Sequence, residues 1–82
     1  MRRVALKVDA RLAKYFRALP LHASQEEFIH DEYSIFHYRL RVSLDLVEEI
    51  LKYGPRIEVL SPPELRSLVA DELAKAAKIY EK

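Results

Sequence analysis

With 82 residues, half of them hydrophobic and a third charged, the chain has the makeup of one small globular domain rather than a disordered segment. It holds no cysteine, which excludes disulfides and thiolate sites, and no apolar run approaches the ~20 residues needed to span a bilayer. A net charge of +1 excludes a polyelectrolyte, yet residues 1–21 hold six Lys or Arg against Asp9 alone, while residues 22–34 hold four acids and no Lys or Arg. That asymmetry reads either as a basic surface or as two segments that neutralise one another.

Val4, Leu6 and Val8 alternate with Arg3, Ala5 and Lys7, the signature of a half-buried first strand. Asp9 is placed to cap a helix over residues 10–19, with Leu12, Phe16 and Leu19 as its buried stripe and Pro20 as its stop. A weak second strand near Gln25–His30 leads to a tight turn at Asp31-Glu32. A clear third strand follows over Ser34–Val42, with Phe36, Tyr38, Leu40 and Val42 on one face and Ile35, His37, Arg39 and Arg41 on the other. Ser43 or Asp45 starts the second helix, and Asp45 with Glu48 forms a candidate capping box.

The stretch Tyr53–Arg66 then reads as a helix stop, a short strand and a helix start. Gly54, the only glycine, sits where a helix end requires φ > 0, and Pro55 forbids the helix from resuming. Ile57 and Val59 mark one face of a strand over Arg56–Leu60. Ser61, Pro62 and Glu64 propose a capped helix start, and the last helix runs to about Tyr80 with Leu65, Leu68, Val69, Leu73, Ala76, Ala77 and Tyr80 on one side.

The order β-α-β-β-α-β plus a final helix predicts an α+β fold of ferredoxin-like type. It would be a four-stranded, mainly antiparallel sheet with helices on one face, and its first and third strands would be central. The uncovered face would then carry Arg3, Ala5, Lys7, Ile35, His37, Arg39, Arg41, Arg56 and Glu58. Lys7, His37, Arg39 and Arg41 are the candidate contacts for a ligand or nucleic acid, because a basic open sheet is one design of single-strand platform. Such platforms also stack bases on exposed aromatics, and here Phe36 and Tyr38 fall on the buried face.

Other chemistry is thin. His22, His30 and His37 lack metal-ligand spacing and no cysteine could complete a site, so neither metal nor cofactor is expected. Asp31 and Glu32 read as solvated turn residues, Ser24 and His22 are too local to make a catalytic pair, and no glycine-rich phosphate loop is present. The expectation is a protein that is not an enzyme.

Two segments carry a resemblance. Leu19-Pro20-Leu21-His22-Ala23-Ser24-Gln25 and the run from Leu51 through Ile57-Glu58-Val59-Leu60-Ser61-Pro62-Pro63-Glu64-Leu65-Arg66 resemble the C-terminal extension (WCX) domain of bacterial WYL-domain transcriptional regulators. Members carry a "PLHxSQ" segment after the first helix. Later come an aromatic-Gly turn, a "VEVLxPxxLR" strand-to-helix segment and a final amphipathic helix. Many members place Trp where this chain has Tyr53. The resemblance spans essentially all of residues 1–82 as one domain.

The resemblance implies a cytoplasmic bacterial regulator whose winged helix-turn-helix and WYL domains lie outside this sequence. The chain is then expected to be either a piece of a longer protein or a stand-alone remnant. Further implications are a homodimer and contact with the WYL domain of the parent protein. The basic sheet face adds single-stranded nucleic acid or another anionic effector as a candidate ligand, and with no long apolar run in the sequence no membrane role is expected. The resemblance also assigns His22, Ser24, Gln25 and Arg66 to loop hydrogen bonding or an interface.

Overall fold

The computed structural model describes residues 1–81. Its elements are β1 (Arg2–Asp9), α1 (Ala10–Ala18), β2 (Glu26–Ile29), β3 (Tyr33–Leu40), α2 (Leu44–Leu51), β4 (Ile57–Ser61) and α3 (Pro63–Tyr80), with a short 3-10 turn over Gly54–Arg56. They make an α+β domain with one four-stranded sheet in the order β2-β3-β1-β4, each neighbouring pair antiparallel. β1 and β3 are therefore the central strands, and β2 and β4 are the edges.

The alternation of β1 decides which face is covered. Val4, Leu6 and Val8 are fully buried, and they share one core with Phe36 and Tyr38 of β3 and Ile57 and Val59 of β4. Each helix adds apolar residues to that core: Leu12, Ala13 and Phe16 from α1, Val47 and Ile50 from α2, Leu65 and Val69 from α3. Phe16 anchors the packing, with its ring edge-on to Phe36 at 5.8 Å and to Tyr53 at 5.2 Å between centroids.

The helix starts follow from their caps. Asp9 has extended backbone and its Oδ1 accepts the Leu12 N–H at 2.7 Å. Ser43 Oγ accepts the Leu46 N–H at 3.2 Å, so Ser43 rather than Asp45 caps α2 and no Asp45–Glu48 box is used. Gly54 adopts φ +56°, and a Cβ there would meet nothing within 4 Å. The glycine is thus required by the backbone conformation alone, not by crowding.

Several expectations are corrected. Leu19 is 59 % exposed rather than buried, because α1 ends at Ala18 and Leu19 leaves the helical backbone at φ −130°, ψ 82°; Ala13 is buried instead. β3 stops at Leu40, where its partner runs out, since Arg2↔Leu40 is the last pair of the β1–β3 ladder. Arg41 consequently lies on the connection to α2. The last helix begins one residue late and without a side-chain cap. Pro63 takes its first position and holds Pro62 extended at φ −77°, ψ 162°, which leaves Ser61 in β4. Glu64 pairs with Arg2 instead of closing a capping box.

The largest departure concerns α3. Its 18 residues span about 27 Å at the usual helical rise. Of the expected apolar side, only Leu65 and Val69 are buried, and every residue from Ala70 to Tyr80 is exposed. The four strands and two shorter helices are simply not long enough to cover it. Accordingly the radius of gyration is 12.9 Å, against roughly 11.7 Å for a compact domain of this length. No helix among the described residues is long and apolar enough to cross a membrane.

Candidate ligand surface on the open sheet face

Side chains of a strand alternate between faces, so the register fixes what the uncovered face displays. Arg3 stands opposite Arg39, Ala5 opposite His37, and Lys7 opposite Ile35. β2 adds Glu26 opposite His37 and Phe28 opposite Ile35, and β4 adds Glu58 opposite Lys7. Lys7, His37 and Arg39 are therefore brought together with Arg3 on one surface. Arg41, beyond the strand end, is not part of that ladder.

Although Glu26 and Glu58 share this face, its cations form no direct ion pairs among the described residues. Arg2, Arg17, Arg56 and Arg66 each pair with a carboxylate, whereas among the described residues Arg3, Lys7, Arg39 and Arg41 take part in no such pair. Two guanidinium groups directly opposite in an antiparallel ladder repel one another, and an anion placed between them relieves that repulsion. A surface depression of about 350 Å³ lies there, lined by Met1, Arg2, Arg3 and Arg39. Lys7 is positioned differently, with its Nζ 4.5 Å from the centroid of the Tyr33 ring.

Part of the sequence asymmetry is neutralised elsewhere. Arg17 on α1 donates through Nε to Glu27 on β2 at 2.8 Å, joining the basic and acidic segments. That hydrogen bond, supported by the Ser34 hydroxyl at 2.7 Å, holds the Glu27 carboxyl below the usual carboxylate range against the opposing effect of burial.

Sequence reasoning missed two aromatics. Phe28 is half-exposed and meets His37 edge-on at 5.0 Å between centroids, and Tyr33 stacks on His30 at 4.6 Å. The Glu26-Glu27-Phe28-Ile29 run has an acid and a hydrophobe on each face, so its periodicity is mute. The tight turn at Asp31-Glu32 was the available signal. Closing that hairpin, with the His30 N–H donating to the Tyr33 carbonyl at 2.9 Å, places Phe28 beside Ile35 on the open face.

The motif residues do different work. Gln25 Oε1 accepts from the Tyr38 hydroxyl at 2.7 Å and from the Leu21 N–H at 3.2 Å, while its Nε2 donates to the Phe16 carbonyl at 3.0 Å. One side chain thus satisfies a carbonyl near the end of α1, the following turn and a core phenol whose ionisation burial pushes well up. Ser24 Oγ accepts the Arg39 N–H at 2.9 Å, so it binds the edge of β3 just before β2 begins. His22 Nδ1 accepts the Ser24 N–H at 3.0 Å and lies 2.8 Å from Ser24 Oγ, closing the turn between them. Arg66 Nη1 donates to the Val59 carbonyl at 2.8 Å and to Glu58 at 2.9 Å, tying α3 to β4. Among the described residues no group of three or more His, Asp or Glu is arranged to hold a metal ion.

The fold and these motif contacts define a small α+β domain with a closed, hydrogen-bonded loop and an open basic sheet. The model of the WCX domain family matches residues 1–77, and the chain belongs to that family. Membership associates it with WYL-type regulatory proteins. No curated protein matches the chain.

Proposed function

We propose that the domain is a non-catalytic regulatory extension of a cytoplasmic WYL-type transcriptional regulator, of ferredoxin-like topology. It binds an anionic effector on its open sheet face and works as a homodimer beside the WYL domain of its parent protein. The observation that carries the effector reading is the Arg3–Arg39 cross-strand pair, two arginines in no ion pair among the described residues that line one surface depression. The order β2-β3-β1-β4 supports the fold name. An effector at the junction with the WYL domain would favour one dimer geometry, and so one spacing of the DNA-binding domains, to the extent that it binds one state more tightly.

A second reading, direct binding of single-stranded nucleic acid, is favoured by Phe28 and His37 meeting on the same sheet face, in line with Lys7. A titration of a short fluorescent single-stranded DNA by anisotropy, at about 50 mM and about 200 mM salt, separates the two. If bases stack on the sheet, Arg39→Glu abolishes binding and Phe28→Ala weakens it by about tenfold or more. If the site takes only small anions, DNA does not bind saturably, and tripolyphosphate raises the Tm of the wild type but not of Arg39→Glu. Equal behaviour of Arg39→Glu and wild type in both assays removes the open face as the site.

A further inference from the structure

The overhanging half of α3 has a pattern that neither the core nor the open face uses. Leu68, Glu72, Lys75 and Ile79 recur at spacings of four, three and four, so they form a single stripe along the helix. Leu68 is 40 % exposed and Ile79 is 68 % exposed. Beside this stripe the N-terminal turn of α2 presents Leu44, 74 % exposed, and a groove of about 200 Å³ runs between the two helices, with Leu44, Val47 and Leu68 as its apolar lining.

Read in either direction the stripe is the same: apolar, charge, charge, apolar, with the two charges of opposite sign. Turning one helix end over end therefore places Leu68 against Ile79, Glu72 against Lys75, Lys75 against Glu72 and Ile79 against Leu68. Such self-complementarity is what a two-fold isologous contact requires. We infer that a second copy of this chain docks along α3 in antiparallel register, with the Glu72–Lys75 pairs at the two-fold axis; this rests on the homodimer reading above and names its surface. Ile79 of each copy then enters the groove beside Leu44 and Leu68 of the other. The Glu72–Lys75 pair present within one helix, 3.3 Å apart, becomes part of a four-charge cluster shared by two helices. Asp71 and Lys78 flank the stripe in the same acid-then-base order and reinforce the antiparallel direction over the parallel one.

Sedimentation equilibrium of the 82-residue chain tests this with two exposed substitutions, E72K and K75E. Each alone makes the facing charges alike in a homodimer, and each is expected to weaken self-association by about tenfold or more. Mixed in equal amounts they restore both opposite-charge contacts, and a heterodimer of near wild-type affinity is expected. That recovery also shows that both variants are folded. Wild-type affinity in E72K alone and K75E alone would overturn the α3 surface while leaving a homodimer through another face. Two weakened variants that do not pair with one another would overturn the antiparallel register. A wild-type chain that stays monomeric at millimolar concentration would remove the homodimer reading itself and this inference with it.

Discussion

The loop between α1 and β2 and the second half of α3 are opposites. In the loop, a few polar side chains are almost entirely spent: Gln25 serves Tyr38, Leu21 and Phe16, Ser24 serves β3, and His22 serves Ser24. In α3, from Ala70 onward, every residue is exposed, and large apolar side chains such as Ile79 and Tyr80 are mostly open to solvent. The loop holds one of the two segments that carry the family resemblance, whereas neither quoted segment reaches the helix end. A motif with no spare valence builds the domain, whereas a surface with unused valence is what a partner can meet.

Gln25 carries the largest expected effect in the loop. Gln25→Leu keeps the volume but strands the Tyr38 hydroxyl and the Phe16 carbonyl in a partly buried site, with an expected loss of roughly 2–3 kcal/mol by urea denaturation. A loss under about 0.5 kcal/mol would mean that water replaces the glutamine and that the loop is less closed than described.

An acid titration tests the other buried end of the same region. The Glu27 carboxyl titrates lower in the folded chain than in the unfolded chain, chiefly through Arg17. The unfolded state therefore binds more protons in the interval between the two values. The stabilisation is complete above the unfolded glutamate pKa, about 4.3, and is lost as pH falls through the folded value. Asp9 acts in the same sense, led by its bond from the Leu12 N–H. Urea midpoints of wild type and Glu27→Gln should thus converge as pH drops from about 5 to about 3. Parallel curves would mean that the Arg17–Glu27 bond carries no stability.

On the helix end the expected change is the smallest. Ile79→Ser, measured at a concentration where the chain is monomeric, should alter stability by less than about 0.5 kcal/mol, because the side chain has no core contact to lose. A loss of about 1 kcal/mol or more would show that the overhang packs onto its own domain after all.

The parts legible in the sequence are those fixed by local chemistry. Asp9 and Ser43 announce their helices because a cap needs only the next three residues, and Gly54 announces its turn because no other residue type takes φ +56° so readily. Strands β1 and β3 were legible because three alternate residues in a row on one face of each are buried: Val4, Leu6 and Val8, and Ser34, Phe36 and Tyr38. Leu19 misled because helical spacing continues on paper one residue past the point where the backbone leaves the helix. The start of α3 misled because two prolines outrank a capping serine. Of the candidate residues, alternation put Lys7, His37 and Arg39 on one face, as the register does, while Arg41 falls beyond the strand and Phe28 was hidden by the acidic residues around it. The work of Gln25 was invisible for a different reason: its partners, Phe16 and Tyr38, lie nine residues before it and 13 after it.

The bond from Arg66 to the Val59 carbonyl has a consequence beyond holding a helix. β4 is an edge strand, and an edge strand offers its unused amides and carbonyls to any extended chain that drifts past. Here a guanidinium already occupies one of those carbonyls and parks a charge beside it, while the opposite edge, β2, is only four residues long and half of them are glutamates. Extended chains from other proteins would find few places on this sheet to start a fibril.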